Sequence, residues 1–276
     1  MLSFITWTVD PEAFTIPGPG LEVRWYGITF ALGFAVGSYI VYRMWKHEDL
    51  KEAWFDKLFF YVIVGTTVGA RLGHCLFYNP DYYLANPIEI LKIRDGGLAS
   101  HGGTIGILIA IWLYSRIITK KNMLWTLDRL VVPVGFVAAF IRTGNLMNHE
   151  VYGHETTVPW AFRFIKNISY WEHGAAPVFS LPSHPTQIYE AFCYIVTACI
   201  CMWLYWKKEA QKRQGLIFGI FLIGIFLSRF FIEFVKNDQE SFEESWIINM
   251  GQILSIPFII AGIWFIYRSI KIKNKK

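Results

Sequence analysis

Arg142 is followed three residues later by Asn145, and Arg229 four residues later by Glu233. On a helix these spacings put each pair on one face. An arginine held in apolar surroundings presents a planar fork of donors that suits a phosphate or carboxylate group. Arg229 and Glu233 are equally well placed to pair with each other. His101 precedes Gly102 and Gly103, small residues that leave room for a ligand, and an imidazole there can take a proton near neutral pH. Asn148, Glu150 and Gly153 follow Asn145 closely, while Tyr26 stands beside Arg24 and His74 beside Arg71 at the ends of two other apolar runs. Together these residue types describe a pocket for something anionic, with a proton acceptor available. None of them has metal-ligand spacing, so no metal and no other cofactor is expected.

The elements that must position these groups are apolar. Of 276 residues, 54% are hydrophobic, 18% aromatic and only 17% charged, which points to a membrane protein rather than an ordinary globular domain. A spanning helix needs roughly 20 largely apolar residues, because lipid offers no partner to backbone N–H and C=O groups. Stretches of that kind run about Leu21 to Tyr42, Trp54 to Phe77, Leu98 to Ile118, Leu127 to Leu146, Gln187 to Trp206, Leu216 to Val235 and Trp246 to Tyr267. The expected fold is therefore an all-α integral membrane protein with seven transmembrane helices, residues 1–276 forming a single membrane domain. Asp10 and Glu12 precede the first stretch and no small-residue cleavage site follows it, unlike a secretory signal peptide. Cys75, Cys193, Cys199 and Cys201 all lie in apolar segments and read as packed thiols. The net charge of +5 calls for no nucleic-acid partner, because its placement has a simpler explanation.

Lysine and arginine are distributed very unequally between the two sets of loops. One set holds the clusters Arg43 to Lys57, Arg116 to Arg129, Lys207 to Arg213 and Arg268 to Lys276; the other holds only Lys92, Arg94, Arg163, Lys166 and Lys236. The positive-inside rule then puts the N-terminus outside and the basic tail in the cytoplasm. With that orientation, Arg24 and Tyr26 open the first span, Arg71 and His74 close the second, and His101 opens the third. Arg142 and Asn145 close the fourth, His184 and Gln187 open the fifth, and Arg229 and Glu233 close the sixth. All lie in the outer third of the membrane, whereas a channel or proton-coupled transporter more often has such groups near the midplane. Arg24 and Arg71 have the alternative of snorkelling to headgroups, and His74 reads as structural. The segment 79–97, with Pro80, Pro87, Tyr82 and Tyr83, suits an interfacial arm, and 147–186 suits a small periplasmic head. Gly65, Gly69 and Gly73, with Gly102 and Gly106, have the four-residue spacing that permits close helix packing.

The run IRTGNLMNHEVYG, Ile141 to Gly153, resembles the signature of the prolipoprotein diacylglyceryl transferase family, approximately Gly-Arg-x-Gly-Asn-Phe-x-Asn-x-Glu-x-x-Gly. Arg142, Gly144, Asn145, Asn148, Glu150 and Gly153 match; Ile141 and Leu146 depart without removing a polar group. RWYG from Arg24, GARLGHCLFY from Gly69, GGLASHGG from Gly96, HPTQIYE from His184, RFFIEF from Arg229 and MGQILSIP from Met250 extend the resemblance through nearly every span. Many members of the family carry a tyrosine four residues before the arginine of the sixth span. This chain has Ile225 there, and Tyr26 or Tyr189 is the substitute hydroxyl considered from sequence.

The resemblance implies a seven-helix fold with an external head and an interfacial arm, in the bacterial cytoplasmic (inner) membrane with its site toward the outer leaflet. It also implies transfer of the diacylglyceryl group of phosphatidylglycerol to the lipobox cysteine in the signal peptide of a prolipoprotein, with glycerol 1-phosphate released. Phosphatidylglycerol, the prolipoprotein and membrane lipids are then the partners, without nucleic acid. For that reaction Arg142 and Arg229 are the candidates for stabilising the leaving phosphate, His101 for deprotonating the thiol, and Tyr26, Asn145 and Glu150 for orienting groups. Asn148, Gly153, Glu233, Arg71, Gly102 and Gly103 complete the expected substrate-binding set. A lipid carrier could use the same arginines without reaction. An intramembrane protease has no support, since no serine–histidine pair or paired aspartates share a depth in two spans.

Overall fold

The structure, a computed structural model, describes residues 4–18, 20–92, 97–237 and 248–273. Among these, seven helices are long and apolar enough to cross a membrane. They carry Phe60, Leu76, Phe192, Trp203, Ile260 and Trp264 on open faces, where only lipid removes such side chains from water. The chain is an all-α integral membrane protein. Arg94, Trp246, Lys275 and Lys276, used above to assign loops and the last span, lie outside the described residues.

The chain divides into two compact units: Met1–Ile40 with Leu130–Lys276, and Val41–Arg129. Helices α1 (Trp25–His47) and α5 (Met123–Met147) each pass from one unit into the other. In the smaller unit, α2 (Glu52–Phe77) packs along α4 (Ser100–Tyr114), which ends in a π-helical turn, Ser115–Thr119. The glycines expected to allow this contact do so. A Cβ on Gly69 would stand 2.5 Å from the Gly102 carbonyl, and one on Gly106 would stand 2.2 Å from that of Gly65, so backbone meets backbone. At the other end of the unit the Trp45 ring meets those of Phe55 and Trp125, and Arg129 forks onto Glu48 while lying 3.9 Å from the Trp125 ring centroid.

The segment expected as an interfacial arm contains a short helix, α3 (Pro80–Ala85), and a 3-10 turn, Pro87–Leu91. Each starts at a proline, which fits a first turn because its missing N–H needs no partner there. Residues 93–96 of that segment lie outside the described residues.

In the larger unit, the stretch expected to open the first span is instead strand. A parallel pair joins β1 (Phe4–Thr6) to β4 (Ala161–Arg163), and an antiparallel pair joins β2 (Glu12–Ile16) to β3 (Leu21–Arg24). Pro17, Gly18 and Gly20 supply the turn, with positive φ at both glycines, and the alternation in Leu21–Arg24 suits a strand once its partner is known. Arg24 therefore precedes α1 and pairs with Glu172 at 3.2 Å. Residues from Val151 to Pro185 form a small cap with the N-terminal strand, its core made by Leu146, Phe162 and Phe164 with Trp7 and Tyr152 against them. A four-residue helix, α6 (Ile168–Trp171), belongs to it. Three helices complete the unit: α7 (Thr186–Lys208), α8 (Leu216–Ile232) and α9 (Met250–Lys273). Glycine lets α8 and α9 approach, since a Cβ on Gly219 would stand 2.8 Å from the Gly262 carbonyl, and Phe226 stacks on Phe258 at 4.3 Å.

His149 ties the cap to the end of α5. One ring nitrogen bonds the Val9 carbonyl at 2.9 Å and the other accepts the Ile165 N–H at 3.1 Å, an arrangement that needs the neutral ring. Burial lowers its pKa below the usual histidine value, against the opposing effects of the Val9 carbonyl and Asp10. His184 is lowered too, by burial first and then by His154. A base with a depressed folded pKa stabilises the fold fully above its unfolded value, about 6.5, and that stability is lost as pH falls through the folded value. The detergent-solubilised protein is thus expected to melt at lower temperature as pH drops from 7.5 to 5, with a shallower dependence in His149→Gln. An identical pH dependence in the variant would exclude His149 as a source.

Candidate functional site

The signature segment leaves α5 through a tight turn. His149 and Val151 have φ of 55° and 61°, the left-handed region that costs a non-glycine residue on the order of 1–3 kcal/mol. This strained pair brackets Glu150. The Glu150 carboxylate accepts from Asn145 Nδ2 at 2.8 Å and Asn148 Nδ2 at 3.2 Å, and its carbonyl accepts from Gln187 Nε2 at 2.6 Å. Asn145 in turn accepts a bond from Arg142 Nη1 at 3.1 Å. Arg142, Asn145, Asn148 and Glu150 are therefore one hydrogen-bonded set, in which the acid acts through amides on the arginine.

Two glycines of the signature are required by close approach. A Cβ on Gly153 would meet the Val235 carbonyl at 2.1 Å, and one on Gly144 would meet Tyr26 Cδ2 at 2.7 Å. Gly153 makes an isolated antiparallel bridge with Lys236, just past α8, and Gly144 seats Tyr26 beside the Arg142–Asn145 turn.

Arg142 also faces α7. Its Nε pairs with Glu190 Oε2, an ionic contact rather than a directed hydrogen bond, and the Tyr194 hydroxyl lies within hydrogen-bonding reach of the same guanidinium. The other Glu190 oxygen lies 3.5 Å from Lys236 Nζ. Lys236 Nζ lies equally 3.5 Å from Glu233 Oε2, and that same oxygen is 3.9 Å from Arg229 Nε. The result is a ladder of alternating charge: Arg142, Glu190, Lys236, Glu233, Arg229. Side-chain exposure along it runs 17%, 0%, 1%, 5% and 32%, so its middle is sealed and the two guanidiniums at its ends are open.

Glu233 does not continue α8; it opens a 3-10 turn, Glu233–Val235, that aims its carboxylate at the N-terminus of α9. There a Cβ on Gly251 would stand 2.4 Å from Glu233 Oε1. Positive helix-end potential and the absence of a side chain at Gly251 both favour a carboxylate in that place. The intrahelical pair Arg229–Glu233 foreseen from spacing is thus present, but long, and it is shared with Lys236.

Arg229 Nε and Asn148 Oδ1 are buried and have no hydrogen-bond partner among the described residues. Unmade hydrogen bonds at buried atoms are costly, and here both belong to the cluster that carries the open guanidiniums. With three cations to two carboxylates, the ladder has one positive charge in excess, which suits an anionic phosphate ester.

Arg142, Asn145, Asn148, Glu150, Gly153, Arg229, Glu233 and Tyr26 all belong to the larger unit. His101, Gly102, Gly103 and Arg71 belong to the smaller one. There His101 is exposed on the first turn of α4, whereas Gly102 and Gly103, read from sequence as room for a ligand, are buried against α2. Arg71 is not free for a headgroup. Its guanidinium is shared among the carbonyls of Ile90 at 2.9 Å, Glu89 at 2.5 Å and Gly97 at 3.2 Å, and it lies 5.1 Å from the Tyr83 ring, which holds these four residues. The His74 ring stacks on that of Tyr78 and meets that of Tyr83 edge-on.

Glu190, Tyr194 and Lys236 were not among the candidates from sequence. The signal for the first was an acid within an apolar span, and for the second its position one turn later on that face. By sequence Lys236 is a loop cation, since spacing alone does not distinguish a loop from a buried turn. Tyr189, considered as a replacement hydroxyl, instead takes a bond from Trp160 at 2.8 Å and faces His184 at 3.2 Å.

The family description "Prolipoprotein diacylglyceryl transferase" matches residues 11–268. The chain is 57% identical over 275 residues to the phosphatidylglycerol–prolipoprotein diacylglyceryl transferase of Porphyromonas gingivalis, covering 98% of this chain and 96% of that one. Proteins of the same name from Chloroherpeton thalassium and Tolumonas auensis are 44% and 42% identical, each over 98% of this chain and over 96% and 99% of their own. The signature turn, the glycines that seat it and the similarity along the whole length agree, and the chain belongs to the prolipoprotein diacylglyceryl transferase family.

Proposed function

We infer that this chain transfers the sn-1,2-diacylglyceryl group of phosphatidylglycerol to the lipobox cysteine of a prolipoprotein. The observation that carries this reading, beside family membership, is the charge ladder that ends in two partly open guanidiniums, Arg142 and Arg229.

In this reaction the cysteine sulfur attacks the glycerol carbon that bears the phosphate ester. A C–S bond forms, the C–O bond breaks with its electron pair going to oxygen, and glycerol 1-phosphate leaves. The leaving group gains negative charge in the transition state, and arginine forks in water-poor surroundings stabilise that charge strongly. Asn145 and Glu150 orient Arg142, and Tyr194 supplies the hydroxyl that the family tyrosine, absent at Ile225, would otherwise provide. Tyr26, Asn148 and Gly153 shape the same turn. The thiol must lose a proton, and His101 is the proposed acceptor on the strength of its residue type and the family resemblance. The enzyme operates in the bacterial cytoplasmic membrane with its N-terminus outside, its basic tail in the cytoplasm and its site toward the outer leaflet. The asymmetry of lysine and arginine between the loops supports that orientation.

The test is purified protein in detergent with phosphatidylglycerol and a lipobox peptide, following glycerol phosphate release and peptide mass together. A cysteine-dependent mass gain of one diacylglyceryl group is expected. Lipid binding without peptide modification would instead indicate a carrier. In the same assay His101→Gln is expected to lower kcat by about 100-fold or more, the usual contribution of a positioned base. Full activity in that variant would remove His101 from the mechanism.

A further inference from the structure

Lys236 is a cation with 1% side-chain exposure, so it does not touch a substrate. Its Nζ stands 3.5 Å from Glu190 and 3.5 Å from Glu233, and through them it is linked to both open guanidiniums. We propose that Lys236 is a positioning residue of the transferase site: its buried ammonium clamps the two carboxylates that hold Arg142 and Arg229, setting the distance between the arginines and the charge excess they present to a phosphate ester.

Three features support this. First, the clamp joins two elements that no other ion pair of the described ladder connects, α7 through Glu190 and the turn after α8 through Glu233. Second, the main chain that carries Lys236 is itself held in place. Lys236 forms the bridge with Gly153, His154 N–H donates to the Val235 carbonyl at 2.9 Å, and Asn237 Nδ2 donates to the Gly153 carbonyl at 3.0 Å. The segment that follows the Glu150 turn is thereby fastened to the chain that carries Lys236, just after the 3-10 turn. Third, the charge count depends on it. With Lys236 the ladder has three cations and two acids; without it each guanidinium faces a carboxylate of its own, and the excess available to an incoming anion is gone.

The two ends differ in a way that this arrangement explains. Arg142 pairs with Glu190 and Asn145, whereas among the described residues Arg229 has only the long ionic contact to Glu233, made by a buried Nε that has no hydrogen-bond partner there. The clamp takes up part of the Glu233 charge and leaves Arg229 the looser grip, able to turn toward a phosphate.

This inference rests on the transferase reading, and its test separates the two. In the assay above, wild-type protein must form the thioether; if it does not, the reading fails and this inference with it. Given active wild type, folded Lys236→Met is expected to lose about 100-fold in kcat/KM, comparable to a displacement of about 1 Å of a positioned group. The loss should appear in kcat, because the leaving phosphate gains its charge in the transition state. Lys236→Gln keeps a donor of similar reach without the charge and should be nearly as impaired, while Lys236→Arg should recover activity to within about 10-fold of wild type. A purely structural lysine would show lower melting temperature but an unchanged kcat in the surviving folded fraction. Should the methionine variant fail to fold, the glutamine variant decides. Wild-type kcat/KM in either folded neutral variant overturns the proposal.

Discussion

Arg142→Lys is expected to lower kcat/KM by about 100- to 1000-fold, corresponding to roughly 3–4 kcal/mol of transition-state stabilisation, although it keeps the positive charge. The guanidinium meets two side chains through different nitrogens, Glu190 at Nε and Asn145 at Nη1. A lysine ammonium is a point charge on a flexible stem and reproduces one of these contacts at a time, without the fork that matches two phosphate oxygens. Asn145 would lose its donor, and the amide set on Glu150 would be free to rearrange. The measurement is steady-state thioether formation at several phosphatidylglycerol concentrations. Undiminished kcat/KM in folded Arg142→Lys would show that charge alone suffices and that the forked geometry has no role in turnover.

The second large effect is on stability. Glu190→Ala is expected to destabilise the larger unit by about 3–5 kcal/mol and to abolish transfer, because it removes a fully buried carboxylate from between two cations. Lys236 would keep only Glu233, and Arg142 would keep only neutral partners. Breaking a buried pair from one side leaves a charge that water cannot reach, which costs much more than the pair contributes when intact. Thermal unfolding in detergent, with activity assayed on the folded fraction, measures both. A melting temperature equal to that of wild type would mean that solvent enters the ladder in solution. Glu190→Gln, with the volume kept, should be milder in stability and still strongly impaired in transfer.

The helices were legible because apolar runs of spanning length have one solution in lipid, where every backbone group must be satisfied within its own segment. The Gly65, Gly69 and Gly73 stripe was legible for a related reason, since small residues at four-residue spacing serve close packing and little else. The Ile141–Gly153 run was legible as a motif, and the hydrogen bond from Arg142 to Asn145 follows the helical periodicity that the spacing implied, whereas the bond from Asn145 to Glu150 depends on the turn after α5. Where the first span begins was not legible, because Leu21–Arg24 is apolar enough for a helix and becomes a strand only through pairing with Glu12–Ile16.

By itself, then, the sequence determined an all-α membrane protein, the family to which it belongs, and the polar residues of the signature. Those are local or compositional properties, carried by residue type and by spacing within one element. Tertiary structure alone decided which charges meet. Glu190 comes from α7 and Glu233 and Lys236 from the turn after α8, and no periodicity links the first to the other two. Arg71 looks in sequence like Arg142, an arginine near the end of an apolar span. It is instead held by three backbone carbonyls of a segment that follows it, whereas Arg142 meets a buried acid on another helix. A buried charge is defined by its partner, and the partner of a side chain in the membrane is chosen by how helices pack rather than by its neighbours along the chain.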